Sequence, residues 1–119
     1  MILRTRFPLR LVNPNNRREH WRAVSKRSRS ELVITGMYLR TECGSVPPAL
    51  PVVVTITRVG PAKMDSDGLA AAAKHVRDAV ARWMGVDDGC EGPDGYTWRY
   101  EQRSDGRGVY AVEVVIDVP

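Results

Sequence analysis

Four aspartates in the middle of the chain have the type and spacing of metal ligands. Asp65 and Asp67 are two residues apart and precede an alanine-rich segment, and Asp87 and Asp88 follow that segment. Carboxylate oxygens are the ligands that hard cations such as Mg²⁺ prefer. Residues i and i+2 of an extended segment share a face, so Asp65 and Asp67 can converge on one cation, with Asp88 as a third ligand. The pattern predicts a Mg²⁺ site, with Mn²⁺ as the alternative ion.

A structural explanation of the same residues stays open. Asp65 or Asp67 can be the N-cap of a helix, Lys74 and Asp78 can form an i, i+4 ion pair, and the segment VDDG can be a turn. One cap needs only one side chain, so this explanation leaves the second aspartate unexplained. An EF-hand is excluded, because Ala70 stands where the sixth position of the loop, counted from Asp65, requires glycine.

The helix that follows Asp67 has two distinct faces at about 100° per residue. Seven residues form the face predicted to pack on the core: Leu69, Ala72, Ala73, Val76, Ala79, Val80 and Trp83. On the opposite side Asp67, Lys74 and Asp78 form one polar stripe. His75 lies beside this stripe and is interpreted as a partly exposed helix residue, not a base. Gly85 is expected to end the helix as its C′ residue.

The remaining elements are predicted from alternation and turn residues. Strands are expected over residues 2–12 and 52–60, the latter central in the sheet, and over 96–103 and 108–118 as a hairpin around the turn SDGRG. A basic helix is expected over about 19–40. The order β-α-β-α-β-β predicts an α+β fold, with a mixed sheet packed with two main helices, as a single domain over residues 1–119.

The charge is unevenly distributed in a chain of 119 residues with a net charge of +4. Residues 1–40 hold ten Lys and Arg and two Glu, whereas residues 41–119 hold eight basic and twelve acidic residues. This asymmetry suits a basic surface for a polyanion beside an acidic site for a cation. A solvated basic helix explains the charge equally well.

Several classes of protein are not indicated by the sequence. No apolar run approaches the roughly 18 residues of a membrane span, and no signal-peptide pattern is present, so a cytoplasmic protein without a membrane role is expected. Cys43 and Cys90, with His20 and His75, match no zinc spacing, and both thiols are expected to be reduced.

The pattern DSDGL…K…RD…VDDG, preceded by a β-branched strand and by NNRREHW, resembles the RusA family of Holliday junction resolvases, which phages and prophages often carry. The similarity covers most of the chain. It implies that Asp65, Asp67 and Asp88 are catalytic metal ligands and that Lys74 is a catalytic phosphate contact. It also makes Asp78 and Asp87 secondary candidates for the site.

The resemblance also implies a DNA-binding surface. Asn16 is similar to an asparagine in the N-terminal loop of the family, and a basic helix follows that loop. The residues expected to contact DNA are Asn16, Arg17, Arg18, Arg22, Lys26, Arg27 and Arg29. Trp21 is interpreted either as a stacking residue or, more commonly for a tryptophan, as part of the core.

Two positions depart from the family pattern. Gly68 stands where the family usually has asparagine, which removes a side-chain hydrogen bond near the metal. Lys74 follows the second aspartate by seven residues, where the best-known members have a spacing of four. Three extra residues make nearly one helical turn, so the lysine keeps its face and moves about 4.5 Å along the axis.

The expected function is that of a Mg²⁺-dependent endonuclease serving DNA recombination and repair. A four-way junction has approximate two-fold symmetry and must be nicked in two strands, which implies a homodimer. Two alternatives stay open: a non-catalytic DNA-structure-binding protein, such as a degenerate resolvase, and an interaction protein whose acidic stripe contacts a partner.

Overall fold

The chain forms four strands and three helices in the computed structural model, which describes residues 1–14, 20–86, 92 and 95–119. In chain order they are β1 (Ile2–Phe7), α1 (Trp21–Tyr38), β2 (Val52–Val59), α2 (Ser66–Ala72), α3 (Lys74–Met84), β3 (Tyr96–Arg103) and β4 (Ala111–Asp117). A π-helical turn, Leu39–Cys43, extends α1. The predicted α+β class and the order of strands and helices are confirmed, with the second helix divided in two.

The sheet has the strand order β1-β4-β2-β3. β2 is parallel to β3, with Val54 opposite Trp98, and antiparallel to β4, with Ile56 opposite Val114. β4 is also antiparallel to β1, where Thr5 faces Val114. The sheet is therefore mixed, and the predicted central position of β2 is confirmed.

The predicted hairpin between β3 and β4 is wrong, because β2 lies between these two strands. Alternation identifies a strand but not its partner. β2 is buried over most of its length and so needs a neighbour on each side. A parallel partner requires a crossover connection, which α2 and α3 supply between β2 and β3.

One continuous core lies between the sheet and the helices. The strands contribute Phe7, Val54, Ile56, Tyr96, Val112, Val114 and Ile116, and the helical part of the chain contributes Leu39, Val76 and Val80. The predicted core face of the second helix is confirmed for its six smaller residues, which are at most 6% exposed. Trp83 is half-buried and its indole Nε1 donates a hydrogen bond to the Gly44 carbonyl at 2.9 Å.

The expected single helix after Asp67 is interrupted at Ala73, whose φ and ψ are −86° and −1°. Backbone hydrogen bonds still run from the Ala73 N–H to the Leu69 carbonyl and from the Arg77 N–H to the Ala73 carbonyl. These bonds keep α2 and α3 nearly continuous, so the predicted faces persist across the break. Gly85 ends α3 with a left-handed φ of 69°, as predicted.

Two other elements have a boundary inside their predicted range. β1 ends at Phe7, because Pro8 has no N–H to continue the ladder. α1 begins at Trp21, where His20 is the N-cap and its Nδ1 accepts the Arg22 N–H at 3.2 Å. In the part of the chain that the structure describes, no helix is long and apolar enough to cross a membrane.

Candidate functional site

Asp65 and Asp67 lie together at the start of α2. Asp65 is the N-cap, and its Oδ1 accepts the Gly68 N–H at 2.7 Å, which confirms the capping role for this aspartate. Asp67 lies in the first turn, and both residues are exposed. Because the helix begins at Ser66, the rule for extended segments does not govern this pair. The cap fixes one carboxylate oxygen of Asp65 and leaves its second oxygen to other partners.

The backbone that leads into Asp65 is held by a glutamine from β3. The Met64 N–H donates to Gln102 Oε1 at 2.9 Å, and Gln102 Nε2 donates to the Met64 carbonyl at 2.6 Å. This paired contact ties the residue before Asp65 to the sheet. No sequence pattern indicates it, because Gln102 is one polar residue of an alternating strand.

A second residue that the sequence did not indicate is Asn13, in the segment after β1. Its Nδ2 occupies the space that a Cβ atom on residue 68 would need, and Asp65 Oδ1 lies 2.6 Å from the same point. The Asn13 amide and the Asp65 carboxylate are therefore close neighbours over the first turn of α2. Gly68 permits this approach because it has no side chain.

Lys74 begins α3 and is exposed. It lines a cavity of about 260 Å³ together with Arg27 of α1 and with Ala71, the residue four positions after Asp67. The other lining residues are Val12, Pro14, Val24, Glu31, Ala72 and His75. Ala71 and Lys74 thus border the same space.

The ion pair between Lys74 and Asp78, which the structural explanation of these residues allowed, does not form. Asp78 instead lies 3.8 Å from His75 Nδ1, and His75 Nε2 lies 2.9 Å from Ser28 Oγ on α1. Burial lowers the pKa of His75, while Asp78 opposes this shift and Lys74 adds to it. His75 is half-buried between α1 and α3, as expected for a helix residue.

Glu31 is the most deeply buried charged residue of α1, with 2% of its surface exposed. Burial raises its pKa to about 7, and the nearby Arg27 guanidinium opposes this shift. A carboxyl in this position exchanges protons near neutral pH. It lines the same cavity as Lys74 and His75.

The basic residues of α1 face solvent to different extents. Arg22, Lys26 and Arg29 are exposed, whereas Arg27 is half-buried at the cavity. Trp21 is 66% exposed, so its interpretation as a core residue is wrong. The Arg22 guanidinium lies 5.2 Å from the Trp21 ring centroid and stacks on it.

Several predicted site residues lie outside the described ranges: Asn16, Arg17, Arg18, Asp87 and Asp88. In residues 1–14, 20–86, 92 and 95–119, no group of three or more His, Cys, Asp and Glu is placed to hold a metal. Of the two cysteines, Cys90 is also outside this part, and Cys43 is a free thiol whose pKa is raised by burial and by Glu42.

The sequence matches no protein-family model, and a search of curated proteins also returns no match.

Proposed function

We propose that this chain is a Mg²⁺-dependent endonuclease that cuts four-way DNA junctions as a cytoplasmic homodimer. The main support is the cavity that Lys74 and Arg27 line from two different helices, because Lys74 belongs to the helix pair that begins with Asp65 as its N-cap and Asp67 in its first turn. Carboxylates and cations on one helix pair would suit a divalent cation and a polyanion together. The resemblance to RusA-type resolvases supports the same function.

The residues fit a hard cation. Asp65 and Asp67 are exposed carboxylates at one helix end, and the cap leaves one Asp65 oxygen for another ligand. An all-oxygen donor set of this kind suits Mg²⁺, and we propose Asp88 as the third ligand. When bound, the ion supplies positive charge that polarises the phosphodiester and activates a water molecule.

The protein's own groups position and stabilise the reacting phosphate. Lys74 makes no ion pair with a described residue, so its ammonium is available for the negative charge that develops on the phosphate oxygens. One water is consumed: its oxygen bonds to phosphorus, one bridging P–O bond breaks, and a proton passes to the leaving oxygen. The products are one phosphate end and one hydroxyl end.

DNA affinity is expected to come from the exposed cations of α1. Arg22, Lys26 and Arg29 would contact backbone phosphates without reading sequence. Trp21, exposed at the start of α1, is available to stack on a base or a sugar. Two copies of one site, related by a two-fold axis, would match the two strands that a junction presents.

The decisive experiment is a cleavage assay on a synthetic four-way junction and a linear duplex, with and without Mg²⁺. The wild-type chain should nick the junction symmetrically and only with the metal. Asp67→Asn should abolish cleavage and retain junction binding, because it removes a metal ligand and no folding contact.

Asp117→Asn is the matched control, since Asp117 is an exposed aspartate at the end of β4 and should leave the rate unchanged. Cleavage by Asp67→Asn at the wild-type rate would contradict the site. Junction binding without cleavage by the wild-type chain, in both Mg²⁺ and Mn²⁺, would instead identify a DNA-structure-binding protein.

A further inference from the structure

A second cavity of about 260 Å³ lies against the segment that leads into Asp65, since Met64 is one of its lining residues. It is lined by Arg10, Leu11, Val12, Asn13, Arg58, Ala62, Met64 and Tyr110. Two of these residues are arginines, and the described lining contains no carboxylate. The cavity is therefore positively charged without an internal counter-charge.

Arg58, on β2, is the unusual residue of this cavity because it is only 5% exposed. Its Nη1 donates to the Ala62 carbonyl and, at 3.4 Å, to Gln102 Oε1, whereas its Nε has no hydrogen-bond partner among the described residues. No described carboxylate forms an ion pair with it. Buried charges in proteins are normally paired, because removing an ion from water costs several kcal/mol.

Arg10 increases the positive charge at the same cavity. Its guanidinium lies 4.6 Å from the ring centroid of Tyr110, which holds it at the cavity wall. Burial lowers the pKa of Arg58, and Arg10 lowers it further by like-charge repulsion, while Tyr110 opposes the shift. An anion between the two guanidinium groups would relieve both effects.

The position of the Arg58 guanidinium is fixed by the local backbone. A Cβ on residue 60 would lie 2.9 Å from Arg58 Cζ, so the absence of a side chain at Gly60 allows the planar group to lie against the chain. Gln102 accepts from Arg58 and also holds Met64, the residue before Asp65. The same glutamine thus connects the buried guanidinium to the start of the candidate metal site.

We propose that this cavity binds a phosphate group, with Arg58 and Arg10 as its cationic ligands. The planar fork of arginine matches the oxygens of phosphate. If the nuclease function proposed above holds, on which this identification rests, the bound group is a DNA backbone phosphate next to the one that is cut. A free phosphate ion has the same chemistry.

The first arm of the test uses inorganic phosphate as the probe. Phosphate should raise the Tm of the wild-type chain by a few °C more than chloride at equal ionic strength, because a ligand that binds the folded state stabilises it. Arg10→Gln and Arg58→Gln should lose this rise. Arg4→Gln is the matched control, since Arg4 is an exposed arginine of β1 outside the cavity.

The second arm measures binding of a four-way junction by fluorescence anisotropy without divalent metal, over a range of salt concentrations. The logarithm of the association constant falls linearly with the logarithm of the salt concentration, and each lost phosphate contact should make this slope less steep by about one. Arg10→Gln should show this reduction and Arg4→Gln should not. Arg10 is exposed, so its substitution leaves folding intact, and the fold of Arg58→Gln is checked by circular dichroism.

The two arms separate the sources of the phosphate. Loss of the Tm rise together with a smaller salt slope identifies a DNA phosphate, whereas loss of the Tm rise alone identifies free phosphate. If Arg10→Gln and Arg58→Gln keep the wild-type Tm rise and the wild-type slope, the phosphate site is wrong. Neither arm measures cleavage, so a chain that binds phosphate here and cuts no junction would contradict only the nuclease function.

Discussion

Residue 68 shows how one missing side chain shapes the candidate site. The Gly68 N–H donates to the capping carboxylate of Asp65, and the space that a side chain on Gly68 would need is filled by the Asn13 amide and that carboxylate. A larger residue in this place must displace one of them. Glycine is therefore required here by a close approach, although it is unfavourable inside a helix by about 1 kcal/mol relative to alanine.

Gly68→Ala should lower the free energy of unfolding by about 1–3 kcal/mol, because overpacking outweighs the gain in helix propensity. Urea denaturation measures this change. The loss of unfolding free energy should be smaller when Asn13 is also changed to glycine, since the new methyl group then occupies the space of the removed Asn13 side chain. An unchanged cost in the Asn13→Gly background would show that Asn13 is not the obstacle.

Gly36→Ala is the matched control, because Gly36 is a buried glycine inside α1. A Cβ there would meet only the mobile end of Arg40, at 3.2 Å. This substitution should be neutral or stabilising by up to about 1 kcal/mol.

The site residues that the sequence predicts are those with a local pattern. Asp65, Asp67 and Lys74 are identified by type and spacing along one helical segment. Asn13 and Gln102 are not, because they reach the site from segments far away in the chain; Gln102 is 38 residues from Met64. Such contacts depend on strand pairing, which local patterns do not determine.

At the scale of elements, the sequence predicts where strands and helices lie better than it predicts which strands pair. The central strand and the core face of the second helix follow from β-branched residues and from helical periodicity. The partner of β3 does not, since both β2 and β4 are apolar enough to lie beside it. The crossover through α2 and α3 decides the pairing, because it places β3 parallel to β2.

The contact between α1 and α3 contains titratable groups and should make stability depend on pH. Glu31 has a pKa of about 7 in the folded state and an ordinary value of 4.5. The folded state therefore holds this proton more tightly than the unfolded state. The stabilisation is fully present below about pH 4.5 and is lost as the pH rises through 7.

Glu31→Gln should remove this loss, because a neutral amide does not ionise. At pH 8 the variant should be more stable than the wild type by about 3 kcal/mol, and the difference should vanish near pH 4.5. Urea denaturation across this pH range measures it. His75 contributes with the opposite sign, since its lowered pKa makes stability fall at low pH, but it is present in both proteins.

Glu101→Gln on β3 is the matched control, since Glu101 is exposed and should show no such pH-dependent difference. If the wild type and Glu31→Gln have the same free energy of unfolding at pH 8, the raised pKa of Glu31 is wrong.

At the scale of the whole molecule, the basic side chains of the two cavities and the carboxylates of the candidate metal site lie on different parts of the structure. The half-buried Arg27 of α1 lines the cavity of Lys74, and the carboxylates Asp65 and Asp67 lie at the start of the same helix pair as Lys74. The cavity of Arg10 and Arg58 has Met64, the residue before Asp65, in its lining. Both cavities thus carry cations on segments connected to the carboxylates, which would favour a nucleic acid strand bound there.

The proposed dimer makes a prediction that a single active site does not. A junction is resolved only when both strands are cut, so a dimer with one Asp67→Asn subunit should make one nick. Differently tagged wild-type and Asp67→Asn chains are co-expressed, and the mixed dimer is purified by both tags. On a supercoiled plasmid that extrudes a cruciform, the wild-type dimer should give linear DNA and the mixed dimer a nicked circle.

A mixed dimer of wild-type and Asp117→Asn chains controls for the tags and should give linear DNA, since Asp117 lies outside the site. Linear product from the Asp67→Asn mixed dimer at the wild-type rate would mean that one subunit makes both cuts. The proposal that each subunit of the dimer cuts one strand of the junction would then be wrong. The carboxylate site of one chain would have to cut both strands in turn.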